Sequence, residues 1–164
     1  MKYLITGASG FVGIHLINDL LNQGHDVYGV DLNDPAVSDS DVFSKISFHK
    51  TSLLNYEVVK SLLEEIRPNF IIHLASASSV ALSWEAPVDC FINNTNIFLN
   101  LVEALRTTKI PCRVLSVGSS EEYGVITKED IPVTEDQPLD PMSPYAVARV
   151  AQEHLSRVYV RGYG

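Results

Sequence analysis

Five short apolar runs, each parted from the next by a helix-spaced or polar stretch, limit this 164-residue chain more than any other feature. Tyr3 to Thr6, Val27 to Val30, Ile46 to His49, Phe70 to Leu74 and Arg113 to Val117 are β-prone and too short for helices. Between them, Phe11 to Asn22, Tyr56 to Ile66 and Asn94 to Thr107 place apolar residues every three or four positions, and a last helix is predicted from Pro144 to Tyr163. Gly24 and Pro68 end the first two helices, while Leu32 to Ser44, with Pro35 and three aspartates, reads as loop. Strands alternating with helices mean βαβ units and a parallel sheet with helices on both faces. Right-handed crossovers make it a doubly wound α/β sheet, whose ligands bind at the carboxyl ends of the strands. The loops to inspect therefore follow Thr6, Val30, Leu74 and Val117.

Composition narrows the function classes. With 46% apolar and 20% charged residues, the chain has the ordinary globular mix and not that of a disordered segment. A net charge of −8 argues against nucleic-acid partners, although a local anion site is compatible with it. Cys90 and Cys112 have no CxxC spacing, so no zinc signature or disulfide framework is expected, and a reducing cytoplasm suits them. No apolar run approaches the ~18 residues of a membrane span.

The first loop reads Thr6-Gly7-Ala8-Ser9-Gly10-Phe11-Val12-Gly13. Glycines here permit a tight turn and close backbone approach, so that a pyrophosphate can sit on the first helix's amino terminus. The spacing is GxxGxxG, weak evidence alone, but a strand precedes it, a helix follows it, and Asp31 ends the next strand. A carboxylate at that place accepts both hydroxyls of an adenosine ribose and repels a 2′-phosphate. No Lys or Arg follows it until Lys45, so NAD is expected over NADP.

Two later segments complete the pattern: Gly118-Ser119-Ser120-Glu121-Glu122-Tyr123-Gly124, and Pro141-Met142-Ser143-Pro144-Tyr145 opening the last helix. With the TGxxGFxG loop and His73-Leu74-Ala75, they cover nearly the whole chain in family order. The chain resembles the extended short-chain dehydrogenase/reductases, specifically the NAD-dependent nucleotide-sugar epimerases, dehydratases and reductases. Within them it looks most like the GDP-4-dehydro-6-deoxy-mannose reductases, with the GDP-mannose 4,6-dehydratases close behind. The resemblance implies a Rossmann fold, NAD held by Gly7, Ser9, Gly10, Phe11, Val12, Gly13, Asp31, Leu53, Leu74, Ala75, Tyr145 and Arg149, and a GDP-linked sugar as substrate. Tyr145 would be the acid/base, Ser119 its partner at the sugar oxygen, and Glu121 the match to the dehydratase glutamate. It also implies a homodimer. A phenol, with a reference pKa of about 10, works near neutral pH only beside positive charge. Taken singly, Ser119 and Ser120 read as turn caps and Tyr145 as an ordinary helix-start residue. His73 is expected to make a local hydrogen bond, and Trp84 and Phe91 to be packing residues.

Three departures from the family pattern stand out. The family's YxxxK lysine is Arg149, which keeps the charge on a bulkier planar fork, so misplacement of ribose or phenol is expected. The aspartate usual after the third strand is Ser52, and a usual Gly-Thr pair is Ile97-Phe98. The chain also ends at Gly164, where one domain takes ~150 residues, so residues 1–164 are expected to form the NAD-binding domain without the substrate domain. Three readings remain open on the sequence: the cofactor-binding part of an oxidoreductase or lyase, a non-catalytic dinucleotide-binding module, and an interaction domain without cofactor.

Overall fold

A computed structural model describes residues 1–163. They form two compact units, Met1–Ser76 with Asn100–Val117, and Ala77–Leu99 with the residues from Gly118 onward.

The first unit is built on one parallel sheet of β1 (Lys2–Thr6), β2 (Asp26–Asp31), β3 (Ser47–Lys50), β4 (Phe70–His73) and β5 (Arg113–Ser116), in the order β3-β2-β1-β4-β5. The apolar runs thus become strands as the sequence implies. Strand order reverses between β1 and β4, so the switch point lies past Thr6 and His73, which are register partners. The fixing contact there is buried: Thr6 Oγ1 and His73 Nδ1 are 2.8 Å apart, and the Ala75 amide donates to the same Oγ1 at 3.1 Å. This is the local hydrogen bond expected of His73.

Flanking helices bury one stripe each. In α1 (Phe11–Asn22) the stripe is Gly13, Ile17 and Leu20; in α3 (Tyr56–Ile66) it is Val59, Leu62, Leu63 and Ile66. Asn55 caps α3, accepting from the amides of Glu57 and Val58, and Arg67 closes it in the left-handed region ahead of Pro68. Leu4, Ile5 and Ile71 are wholly enclosed, each contributing about 1.5–3 kcal/mol relative to exposure. The segment read as loop holds a 3₁₀ turn, Val37–Asp39, and a short α2 (Ser40–Phe43). Phe43 explains it: the ring is buried edge-on against Phe48, which anchors a polar segment whose composition shows no periodicity.

The second unit is helical. It holds α4 (Val80–Glu85), α5 (Pro87–Phe91), a π turn at Ile92–Asn96, the start of α6 (Ile97–Thr108), two 3₁₀ turns (Ser120–Tyr123 and Lys128–Asp130) and α7 (Pro144–Tyr163). The helix expected from Asn94 therefore begins as a wider turn. The buried Asn94 side chain pins Ala77 through both of its backbone groups, accepting at 2.9 Å and donating at 3.2 Å. Trp84 and Phe91 are not core packing residues: they are 64% and 43% exposed, because α4 and α5 turn those faces outward.

The glycine loop is the tightest backbone approach in the first unit. A Cβ on Gly13 would lie 2.5 Å from the Gly7 carbonyl oxygen and 2.6 Å from that of Ala8, whereas one on Gly10 would meet only the Gly7 oxygen, at 3.2 Å. Gly13→Ala is therefore expected to lower the unfolding free energy by about 2 kcal/mol or more, and Gly10→Ala by under about 1 kcal/mol, read by urea titration.

Candidate functional site

The first group of site residues lies at the switch point. Gly7 has φ +70°, and a Cβ there would come within 2.8 Å of the Ala75 amide nitrogen, so only glycine lets this turn pass beneath the loop after β4. Gly10 is the N-cap of α1, which has no side-chain cap and no acidic residue in its first turn. An uncapped helix start carries partial positive charge and open N–H groups, which suits an anion. Phe11 and Val12 point outward from that turn, and Gly13 is buried under it.

Asp31, at the end of β2, is tied to this loop. Its carboxylate accepts from the Ser9 amide at 3.0 Å and from the Asn33 amide at 3.1 Å, while the Ser9 hydroxyl donates to the Asn33 carbonyl at 3.0 Å. A carboxylate has about four lone-pair sites, so these two bonds orient the group and leave it able to accept a vicinal diol. Lys50 stands opposite Asp31 across β2 and β3, a cation the sequence distance to Lys45 did not reveal. Its ammonium pairs with Asp34 at 2.5 Å. Leu53 is buried, and Asn100 donates to the carbonyls of Leu53 and Leu54 at 2.9 Å each, holding the turn after β3; Ser52 uses its hydroxyl within that turn, accepting from the Leu54 amide. Leu74 and Ala75 are half-buried and fixed through Thr6. These residues fit a dinucleotide: the loop has no room for a side chain at Gly7 or Gly13, its helix terminus is open, and its aspartate is already oriented.

The second group lies in the helical unit. Tyr145 and Arg149 are one turn apart on α7 and both buried. Arg149 Nε donates to the Tyr145 hydroxyl oxygen at 3.2 Å, its guanidinium carbon is 5.3 Å from the ring centroid, and Nη1 donates to Gln152 Oε1 at 2.9 Å. A guanidinium is buried only with partners, and Gln152, itself buried, is one that sequence reasoning missed. Ser119 precedes the 3₁₀ turn and accepts from the Glu121 amide at 3.3 Å, while Glu121 is exposed. The turn-cap reading of Ser119 is thus true of its geometry, and its O–H is still able to donate.

Glu122, the other missed residue, is 4% exposed. Its Oε1 accepts from the Ser119 amide at 2.6 Å. Burial pushes its pKa above the ordinary carboxylate range; the Ser119 amide and the charge of Arg149 oppose this, and Glu153 adds to it. The signal was present: Ser119-Ser120-Glu121-Glu122 has the S-x-x-E spacing of a capping box, in which the glutamate returns to the serine's backbone.

Residues 4–164 match the family model described as GDP-mannose 4,6 dehydratase. The chain belongs to that family. Its relatives are NAD-dependent nucleotide-sugar epimerases and dehydratases of the short-chain dehydrogenase/reductase type. The chain is 34% identical to a UDP-glucose 4-epimerase of Mycolicibacterium smegmatis, over 97% of its own length and 51% of the relative's. It is 29% identical to a dTDP-glucose 4,6-dehydratase of Haemophilus influenzae, over 100% and 53%. Among solved structures, a Thermus thermophilus UDP-glucose 4-epimerase in complex with NAD superposes with a TM-score of 0.90 at 34% identity, covering 100% of this chain and 52% of that one. The chain spans about half the length of the curated relatives it matches. The Rossmann-type sheet and the family membership expected from the motifs are thus established for this half.

Because Glu122 titrates above its unfolded value, the stability that its neutral form supplies is complete below the ordinary carboxylate pKa of about 4.3 and is lost as pH rises through the raised folded value. Glu122→Gln should flatten that decline. Urea unfolding at a series of pH values should show the variant losing less stability than the parent between mildly acidic and neutral pH.

Proposed function

We propose that this chain holds NAD and carries the acid–base residues of a nucleotide-sugar oxidoreductase. The observation that carries the reading is the buried hydrogen bond between Arg149 and Tyr145 on the helix that the family motif opens. The loop Gly7, Ser9, Gly10, Phe11, Val12 and Gly13 would cradle the pyrophosphate at the α1 terminus, and Asp31 would accept the ribose hydroxyls. Leu53, Leu74 and Ala75 would line the adenosine and ribose side of that loop. NAD, when bound, supplies reversible hydride exchange with a sugar carbon.

The chain's own residues handle the proton. Tyr145 gives its hydroxyl proton to, or takes one from, the sugar oxygen. Arg149 sits with its charge beside the phenol oxygen, where loss of the proton leaves a negative charge. The Ser119 O–H, not consumed by the bond from Glu121, donates to the same sugar oxygen and orients it. Lysine at position 149 would present a compact ammonium; arginine reaches the phenol with Nε and Gln152 with Nη1.

The substrate we favour is a GDP-linked 4-dehydro-6-deoxy sugar, reduced at carbon 4, because the Gly-Ser-Ser-Glu-Glu-Tyr-Gly and Pro-Met-Ser-Pro-Tyr runs are most similar to reductases of that kind. A second reading, 4,6-dehydration of GDP-mannose, is favoured by Glu121, which stands exposed two residues from Ser119 and matches the glutamate that dehydratases use. We also take the chain to self-associate. An open apolar groove lined by Trp84, Val88, Phe91, Met142 and Val147 supports that expectation. Location in the cytoplasm accords with the reduced cysteines, and no helix among the described residues is long and apolar enough to cross a membrane.

NADH fluorescence titration tests the cofactor reading. NADH should bind more tightly than NADPH, and Asp31→Ala should narrow the preference to within a few-fold. Equal affinities in the unaltered chain would contradict it. For the chemistry, joined to a substrate part, the chain should consume NADH with GDP-4-dehydro-6-deoxy-mannose, and Tyr145→Phe should lower the rate at least about a hundredfold. Turnover of GDP-mannose instead would assign dehydration.

A further inference from the structure

Strands β2 and β3 end side by side, with Asp31 opposite Lys50 and the Thr51 amide donating to the Asp31 carbonyl at 2.9 Å. Two residues earlier the register pairs Gly29 with Phe48, and a Cβ on Gly29 would lie 2.9 Å from the Ala8 Cβ and 3.3 Å from Phe48 Cδ2. That face of the sheet therefore carries the glycine loop. Side chains alternate along a strand, so Asp31 and Lys50 stand on the same face as Gly29 and Phe48. Asp31 shows this directly, since its carboxylate reaches the Ser9 amide. Lys50 extends to Asp34, three residues beyond Asp31, and their ammonium and carboxylate form an ion pair. The segment leading to Asp34 is itself tied to the glycine loop, because the Asn33 amide donates to Asp31 and the Asn33 carbonyl accepts from the Ser9 hydroxyl.

We propose that the Lys50–Asp34 ion pair is a second determinant of cofactor choice beside Asp31: Asp34 holds the ammonium that a ribose 2′-phosphate would otherwise recruit. The proposal rests on the reading of the glycine loop and Asp31 as a dinucleotide site, and it deepens that reading by naming what turns the 2′-phosphorylated cofactor away. A 2′-phosphate brings about two negative charges to the place where Asp31 accepts the ribose hydroxyls. A lysine free to swing on its four-carbon stem would offset part of that charge. Lys50 is instead already matched, and Asp34 adds a second carboxylate to that of Asp31. Sequence spacing hides the arrangement, because Lys50 comes to Asp31 through the sheet register and not along the chain. The Lys50 and Asp34 side chains are 53% and 71% exposed, so both can be replaced with little effect on folding.

Fluorescence titration with NADH and with NADPH tests it, on the unaltered chain and on three variants shown to be folded by circular dichroism. Asp34→Asn should lower the ratio of the NADPH to the NADH dissociation constant about fivefold, the scale of one exposed charge pair. Lys50→Gln should not lower that ratio. Combining Asp34→Asn with Lys50→Gln should cancel the gain, because the released ammonium produces it. Added salt should erode the gain in Asp34→Asn. An unchanged ratio in Asp34→Asn would overturn the proposal. So would a fall that persists in the double variant, since removal of a negative charge would then be the whole effect. The NADH titrations keep the two readings apart. NADH binding with an unmoved ratio removes only the role of the ion pair, whereas no saturable NADH binding by any of the four chains overturns the dinucleotide reading and this proposal with it.

Discussion

Between the carbonyl oxygens of Gly7 and Ala8 and the first turn of α1 there is space for a hydrogen atom and nothing larger. That exclusion lets α1 start directly behind β1 and aims its uncapped N–H groups past the strand ends. A second constraint locks the same end. Thr6 Oγ1, buried, joins His73 on the neighbouring strand and the amide of Ala75 in the loop beyond it. Gly7 then passes under that loop with no side chain to obstruct it. Backbone placement at the switch point is thus set by missing atoms and one hydroxyl, and Asp31 is drawn in through the Ser9 amide.

The helical unit solves a different problem, the burial of charge. Arg149 is 5% exposed, and in a low-dielectric setting an unpartnered guanidinium would destabilise the fold by several kcal/mol. It is met by a phenol oxygen, an amide oxygen and the field of a carboxyl group, all within two turns of α7 or in the turn after Ser119. The same partners that make its burial tolerable orient it on Tyr145. On the proposed reading of Tyr145 as proton carrier, stability and chemistry rest on one set of contacts.

Much of this was legible in the residues. Runs such as Leu4-Ile5 and Ile71-Ile72 read as strands, and the glycine triplet followed by Asp31 points to a dinucleotide loop at the carboxyl end of the first strand, which the strand order places at the switch point. What escaped is instructive in each case. Within the π turn at Ile92–Asn96, Asn94 reaches back to Ala77, a tertiary contact that leaves no trace in periodicity. The short helices α4 and α5 did leave one, Ser79 as a cap that accepts from the Leu82 amide and Pro87 in the first turn. Trp84 and Phe91 read as packing residues, yet residue type does not say which face a helix turns outward. Glu122 stands at the capping-box spacing from Ser119, which accounts for its return to the Ser119 amide.

The claim that the rest depends on is that a dinucleotide phosphate docks on the amino terminus of α1 beside Asp31. Amide-resolved NMR during NADH addition tests it most directly. The expected result is saturable movement of the Ser9, Gly10, Phe11, Val12 and Gly13 amides, together with Asn33, whose N–H is held by the Asp31 carboxylate. Saturable binding that leaves those six amides in place and moves others would contradict it.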